Sequence, residues 1–366
     1  MTIEAATSYA PGEAPRGLAA AILWLRRSFF SGPFSTGATI LLALLAAWIV
    51  PKLVGWALVD AVWRPTSPEV CRDAAGACWA VIAEKHRLIL FGTYPFDQQW
   101  RGWLVTGILF ALVIASVVPR FWSIKLIVAW VVGLAAALTL QFGGVLGLSY
   151  VSTEQWGGLP MTMLLFVGTV IGGLPLAILL ALGRRSALPA VRTISIGYIE
   201  IVRGIPLVNI LFVAALLFPL FMPPGVNFDK LLRAQIGMIV FFAAYAAEVV
   251  RGGLQAVPKG QYEAADSLGL GYWKRTRLIV LPQALRIVIP PLLNDVIRAF
   301  KNTSLLLIIG LFDILGATRA ALEDPNWARY YFEAYLFVAA LYFVFCFSMS
   351  RYSERMERTL AKGRSY

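Results

Sequence analysis

Residues 257–286 read VPKGQYEAADSLGLGYWKRTRLIVLPQALR, an unusually structured connection between two apolar windows. The pattern is helix, turn, helix. Pro258 suits a first helical position, where its missing N–H would be unpaired anyway. Lys259 to Leu268 follow as serviceable helix formers. Gly269 then supplies the positive φ that ends a helix without a Cβ clash. A second helix is expected from Tyr272 to Leu281, with Pro282 interrupting it. Tyr262, Ala265 and Leu268 fall at helical spacing, as do Trp273, Arg277 and Leu281, so both helices are amphipathic. Ala264 and Ala265 beside Glu263 make a small knob that a partner backbone can approach closely, with a charge for docking. Physics alone leaves two readings open: an elbow that docks on a partner, and a surface hairpin lying on lipid headgroups.

The rest of the chain says what the elbow is attached to. Of 366 residues, 59% are hydrophobic and 14% charged, against roughly 45–50% and 25% in soluble domains. Mean hydropathy is +0.73, and 12 Trp, 13 Tyr and 22 Phe leave too few charges to cover a water-facing surface. A soluble globule and a disordered chain are both excluded. The composition requires an all-α polytopic membrane protein.

About 20 apolar residues cross the hydrocarbon as a helix. Residues 28–51, 102–119, 126–153, 155–183 and 204–228 carry no Asp, Glu, Lys or Arg. Weaker windows are 234–247 and 334–350, and a charged one lies at 287–311. That makes about eight crossings, with both termini on one side. The segments 1–37, 119–125, 183–203, 251–286 and 351–366 hold 20 Lys/Arg in 117 residues, while the opposite segments hold 10 in 99. The positive-inside rule therefore places both termini, and the elbow, in the cytoplasm. The same rule explains the net charge of +12 without nucleic acid, and no nucleic-acid partner is expected.

Cys71 and Cys78 fall in the long outer loop 52–102, where a disulfide is permitted; two free thiols are the alternative. Three cysteines and the single His86 cannot build a metal site of three or four N/S ligands. Residues 1–15 are small, polar and acidic, unlike a cleavable signal peptide.

The charged window at 287–311 is the most informative span. Eleven Leu, Ile, Val or Phe between Leu292 and Leu311 favour insertion by roughly 3–7 kcal/mol. Asp295, Arg298 and Lys301 would together cost about 7–10 kcal/mol near the bilayer centre. They must face protein, water or the interface. Spacing puts Asp295, Arg298 and Lys301 along one side and stacks Asn294, Arg298 and Asn302. Pro290-Pro291 is expected to break the helix just below. A translocation surface and a plain Asp295–Arg298 pair near the interface both stay open. At the inner ends of two other spans, Glu200 with Arg203 and Glu248 with Arg251 sit at i, i+3, the spacing of local ion pairs. Gly204 and Pro206 are read as a kink or gate. Gly143-x3-Gly147 and Gly168-x3-Gly172 are read as close helix packing.

Glu263-Ala264-Ala265, then Gly269, then Ile279-x-Leu281-Pro282 reproduces the EAA-x3-G-x9-I-x-L-P loop of ABC-importer permeases. With the flanks AAYAAEVVRGG (243–253), IVRGIPLV (201–208) and LPQALRIVIPPLLNDVIRAFKNTSLL (281–306), the chain resembles permeases of polar amino-acid importers over about 159–350. The resemblance implies a five-helix permease core at 159–350, with its coupling loop at 251–286. Before it lie a tail at 1–37 and a three-span extension at 38–158, similar to the longer permeases of general L-amino-acid importers. A basic cytoplasmic tail follows at 351–366. It further implies that Glu263, Ala264, Ala265, Asp266 and Gly269, with Ser267, Tyr272 and Trp273 beside them, engage separate ATPase subunits. A second permease and a periplasmic amino-acid-binding protein are implied as partners, and the inner membrane as the location of this chain.

No cofactor and no covalent chemistry are expected. The chain contains no Gly-x4-Gly-Lys-Ser/Thr, His-Glu-x2-His or Gly-x-Ser-x-Gly, so it has no phosphate cradle or hydrolase signature of its own. The rival reading is an ion-gradient-driven amino-acid symporter. It predicts inverted repeats and midplane ion ligands, and it leaves the elbow without a purpose.

Overall fold

The computed structural model describes residues 18–64, 68–226 and 228–362. Residues 1–17 of the expected N-terminal tail and 363–366 of the C-terminal one lie outside the described residues. The chain forms two compact units, dividing after Ala80.

In the first unit, α1 (Leu18–Phe29) precedes α2 (Pro33–Val54), which continues through a wide turn at Gly55–Val59 as one apolar span. Next, α3 (Pro68–Asp73) begins a loop folded tightly on itself. Val62 pairs with Cys78, and the Trp79 indole donates to the Ala57 carbonyl at 2.7 Å. A Cβ on Gly76 would sit 2.2 Å from the Asp60 carbonyl oxygen, so glycine is required there. The structure joins Cys71 to Cys78, with Cα atoms 5.6 Å apart. Closing so short a ring stabilises the loop by roughly 2–3 kcal/mol in the chain-entropy model. The double variant Cys71→Ser/Cys78→Ser should therefore be cut by trypsin at exposed Arg72 about tenfold faster or more. Equal cleavage rates would show that the bridge does not hold the loop.

The second unit carries α4 (Ala80–Phe91), α5 (Gln99–Val117), α6 (Ile124–Phe142), α7 (Gly158–Arg184) and α8 (Pro189–Gly204). Then come α9 (Leu207–Phe212), α10 (Lys230–Ala256), α11 (Lys259–Ser267), α12 (Tyr272–Arg275), α13 (Leu281–Asn302), α14 (Ile314–Ala321) and α15 (Tyr331–Lys362). Among the described residues of the whole chain, seven helices are long and apolar enough to span a membrane. The pair Pro189–Gly204 and Leu207–Phe221, bent by 104°, makes up to eight.

Two features of packing set the site. First, α7 and α10 approach closely because Gly168, Gly172 and Gly173 face Gln235, Ile239 and Phe242; an added Cβ would come within 2.7, 2.7 and 2.5 Å of them. Second, Phe166, Phe300, Phe345 and Phe110 form successive ring contacts of 5.3, 5.1 and 4.9 Å that tie α7, α13, α15 and α5 together. Gly143 and Gly147 do not act this way. α6 stops at Phe142, short of the apolar window's end at 153, and both glycines belong to the loop that follows.

Away from the elbow, Asp313 caps α14. Its carboxylate accepts from the Leu315 and Gly316 N–H groups at 3.2 and 3.0 Å and from the Tyr342 hydroxyl at 3.3 Å. Burial outweighs these bonds and pushes the carboxyl up from 3.8 to about 6. Because the folded chain holds this proton more tightly than the unfolded one, its contribution to stability falls as pH rises from about 4 to about 6 and is flat above. Across that window the melting temperature of the wild type should fall relative to that of Asp313→Asn as pH rises. A constant difference between them would contradict the assignment.

Candidate coupling and translocation site

The elbow is preformed. α11 closes with paired backbone bonds around Gly269 (φ 69°): Gly269 N–H to the Asp266 carbonyl at 2.9 Å, and Leu270 N–H to the Ala265 carbonyl at 3.1 Å. This is the Schellman arrangement, which places a left-handed residue just past the helix end. Arg275 on α12 grips both carboxylate oxygens of Asp266 at 2.6 Å, locking the two short helices together. Of the implied docking residues, Ala265 is buried, while Glu263, Ala264, Asp266, Ser267, Gly269, Tyr272 and Trp273 are exposed. Leu268 and Trp273 expose 76% and 71% of their surface. Exposed apolar side chains at the tip suit either a partner surface or lipid headgroups.

The second helix does not stop at Pro282. The chain stays helical from Tyr272 to Ile309, because Thr276–Val280 widen into a π turn immediately before the proline. The Gln283 side-chain amide also donates to the Ile279 carbonyl at 3.0 Å. Nor do Pro290 and Pro291 break α13, which runs through both. Proline removes one helical bond but is tolerated where neighbouring groups re-satisfy the freed backbone.

From the elbow end, a column of charge runs into the bundle. Glu248 on α10 pairs with Arg251 at 2.9 Å, with Arg184 at the end of α7 at 2.9 Å, and with Arg203 on α8 at 3.9 Å. Glu200 bonds Arg184 at 2.8 Å rather than Arg203, so the expected i, i+3 pair on α8 is replaced by a link between helices. The Arg203 and Arg298 guanidiniums both lie over the Tyr245 ring, at 5.5 and 5.4 Å. Arg298 also pairs with Asp295 at 3.1 Å. Asp295 is buried, and its second carboxylate oxygen has no hydrogen-bond partner. Gly204 and Pro206 stand at the 104° bend where α8 hands over to α9.

Asp295, Arg298 and Asn302 converge with Thr169, Leu207 and Tyr245 on one recess. Its ≈10 Å³ has room for one water. Asn294 is exposed and outside this recess. Lys301 departs from the expected line: it opens toward α15, beside Ser304, Tyr342 and Cys346. On a helix, i and i+6 point about 120° apart, and that rotation carries Lys301 off the recess face.

Residues 173–362 match the model of the binding-protein-dependent transport system inner membrane component. The chain belongs to that family. Over 364 residues it is 45% identical to the inner membrane amino-acid ABC transporter permease protein YhdY of Escherichia coli (strain K12), covering 98% of both chains. It is 39% identical over 420 aligned residues to the glutamate/glutamine/aspartate/asparagine transport system permease protein BztC of Rhodobacter capsulatus, covering 96% of each. The glutamate/aspartate import permease protein GltK of Escherichia coli O157:H7 is 32% identical over 209 residues, covering 56% of this chain and 92% of its own length. The chain is thus a multi-span inner-membrane permease component.

Sequence reasoning missed Arg184, Arg275, Thr169 and Tyr245 as members of the site. Arg184 and Arg275 were counted only as inward-biased charge, and nothing local signals their partners 16 and 9 residues away. Tyr245 stood inside a quoted motif with no role, because its two guanidinium neighbours come from other helices.

Proposed function

We propose that this chain is one permease subunit of an ATP-driven importer of polar amino acids. Separate ATPase subunits drive it through the α11–α12 elbow, and a periplasmic binding protein delivers the cargo. The observation that carries this is the rigid, exposed elbow at the same end of the bundle as the Arg184–Glu248 column. A lever and a closed charged gate belong to one machine. Glu200, Arg203, Gly204, Pro206 and Glu248 form the inner gate, and Asp295, Arg298 and Asn302 face the pathway. Five core spans wall only half a conduit, so a second permease completes it. The two relatives that match nearly the whole chain support amino acids as cargo. The relative that matches only about half of it supports dividing the chain into a three-span extension (38–158) and a transport core (159–350).

Both termini and the elbow are cytoplasmic in this reading, and the Cys71–Cys78 loop is periplasmic. A single cysteine at Ser267 should react with an impermeant maleimide in inverted vesicles and not in intact spheroplasts; the reverse pattern would overturn the orientation. Function is tested by purifying the complex with its partner subunits and reconstituting it in liposomes. Uptake of labelled glutamate, glutamine, aspartate or asparagine should require ATP and the binding protein. Uptake driven by an ion gradient without the ATPase would replace this reading with the symporter.

A further inference from the structure

Pro258 has no N–H, so the Leu254 carbonyl at the end of α10 lacks the i+4 donor that a continuing helix would supply. Two side chains from elsewhere take its place. Arg185, just past the end of α7, donates to this carbonyl at 2.7 Å, and the Tyr262 hydroxyl of α11 donates at 2.8 Å. Arg185 also donates to the Tyr262 hydroxyl at 3.2 Å. The Tyr262 ring is flanked by two guanidiniums, Arg185 and Arg275, each 5.7 Å from its centroid. Arg275 is the residue that clamps Asp266. The ends of α7 and α10 and both elbow helices therefore meet around one carbonyl oxygen and one phenol ring. A cation beside the last carbonyls of a helix is also favoured by its dipole.

We propose that Tyr262 and Arg185 are the joint that passes movement of the elbow to α7 and α10. Neither is among the residues that the resemblance assigns to ATPase docking. The proposal rests on the elbow being driven by a separate ATPase, but it adds where the stroke enters the membrane. The elbow leaves α10 through Val257 and Pro258, and its second helix runs on into α13. The Tyr262–Leu254–Arg185 triangle adds a contact that ties α11 directly to the ends of α7 and α10. From Leu254, Glu248 lies six residues up α10 and Tyr245 nine, or about 9 and 14 Å along the axis. A tilt at the joint is thereby delivered to the gate and then to the pathway recess.

The test uses the complete complex in proteoliposomes, with Tyr262→Phe, Arg185→Gln and Arg185→Lys. ATP hydrolysed per labelled glutamate, glutamine, aspartate or asparagine imported is measured, together with ATPase subunits co-purified per permease. Tyr262→Phe keeps the ring and loses both hydrogen bonds of the hydroxyl, and the ATP spent per amino acid should rise about fivefold or more. Arg185→Gln should raise it more, and Arg185→Lys, which keeps a cation at the helix end, should recover part of the loss. Unchanged stoichiometry in Tyr262→Phe and Arg185→Gln would overturn the joint. So would loss of ATPase co-purification, since the pair would then belong to the docking face. If instead the wild-type complex shows no ATP-driven uptake, the importer reading itself fails, whatever the variants do.

Discussion

Gly269→Val is expected to abolish most ATP-driven uptake, by about 30-fold, while the protein still inserts and purifies. No atom lies within 4 Å of a Cβ built on Gly269, so packing does not oppose the substitution. The backbone does. At φ 69° an ordinary side chain costs roughly 1–2 kcal/mol, and branching at Cβ adds to that. A penalty of about 2 kcal/mol corresponds to the 30-fold figure, at tenfold per 1.4 kcal/mol. Valine relaxes toward negative φ, which unmakes the Gly269–Asp266 and Leu270–Ala265 bonds and turns α12 away from α11. Asp266 then lies out of reach of Arg275, and the elbow loses its second brace. ATP hydrolysis should continue, uncoupled. Gly269→Asn tests the mechanism, because asparagine tolerates the left-handed region and should keep most of the uptake. Equal damage from Val and Asn would point to the glycine's size, and normal transport by Val would show that the bend is not needed.

The same bend shows why this part of the structure was legible in the sequence. A helix terminator that needs positive φ has few solutions, and glycine is the commonest. The spans were legible for a different reason: a charge-free window of some twenty residues is decided by the bilayer, not by the neighbours. Where the reading failed, tertiary context overrode a local rule. Pro282, Pro290 and Pro291 signal breaks, yet a π turn and surrounding helices keep the chain helical from Tyr272 to Ile309. Glu200 and Arg203 have ideal spacing for a pair, but Arg184 from another helix lies nearer to Glu200. Spacing along one helix lists possible partners; it does not contain the competitors that folding brings in. The joint at Tyr262 was hidden for the same reason, although Pro258 announced the orphaned carbonyl that creates it.

That competition makes Glu248 the residue whose loss should destabilise the fold most. It is the shared anion for Arg184, Arg251 and Arg203, with 16% of its side chain exposed. Removing it leaves Glu200, among the described residues, as the one carboxylate paired within this group of three cations. Stripping one partner from a buried pair costs about 3–5 kcal/mol, and partial exposure lowers that to roughly 2–4 here. Glu248→Ala should therefore unfold at a markedly lower temperature in detergent, with uptake lost because α7, α8 and α10 no longer close together. Glu248→Gln keeps one acceptor oxygen and should suffer less. The decisive comparison is the double variant Arg184→Gln/Glu248→Gln. If the two side chains stabilise each other directly, it should be at least about 1 kcal/mol more stable than the sum of the single losses predicts. Strict additivity would mean that the 2.9 Å contact between α7 and α10 contributes nothing. Close packing such as that at Gly168, Gly172 and Gly173 would then hold α7 against α10 without it.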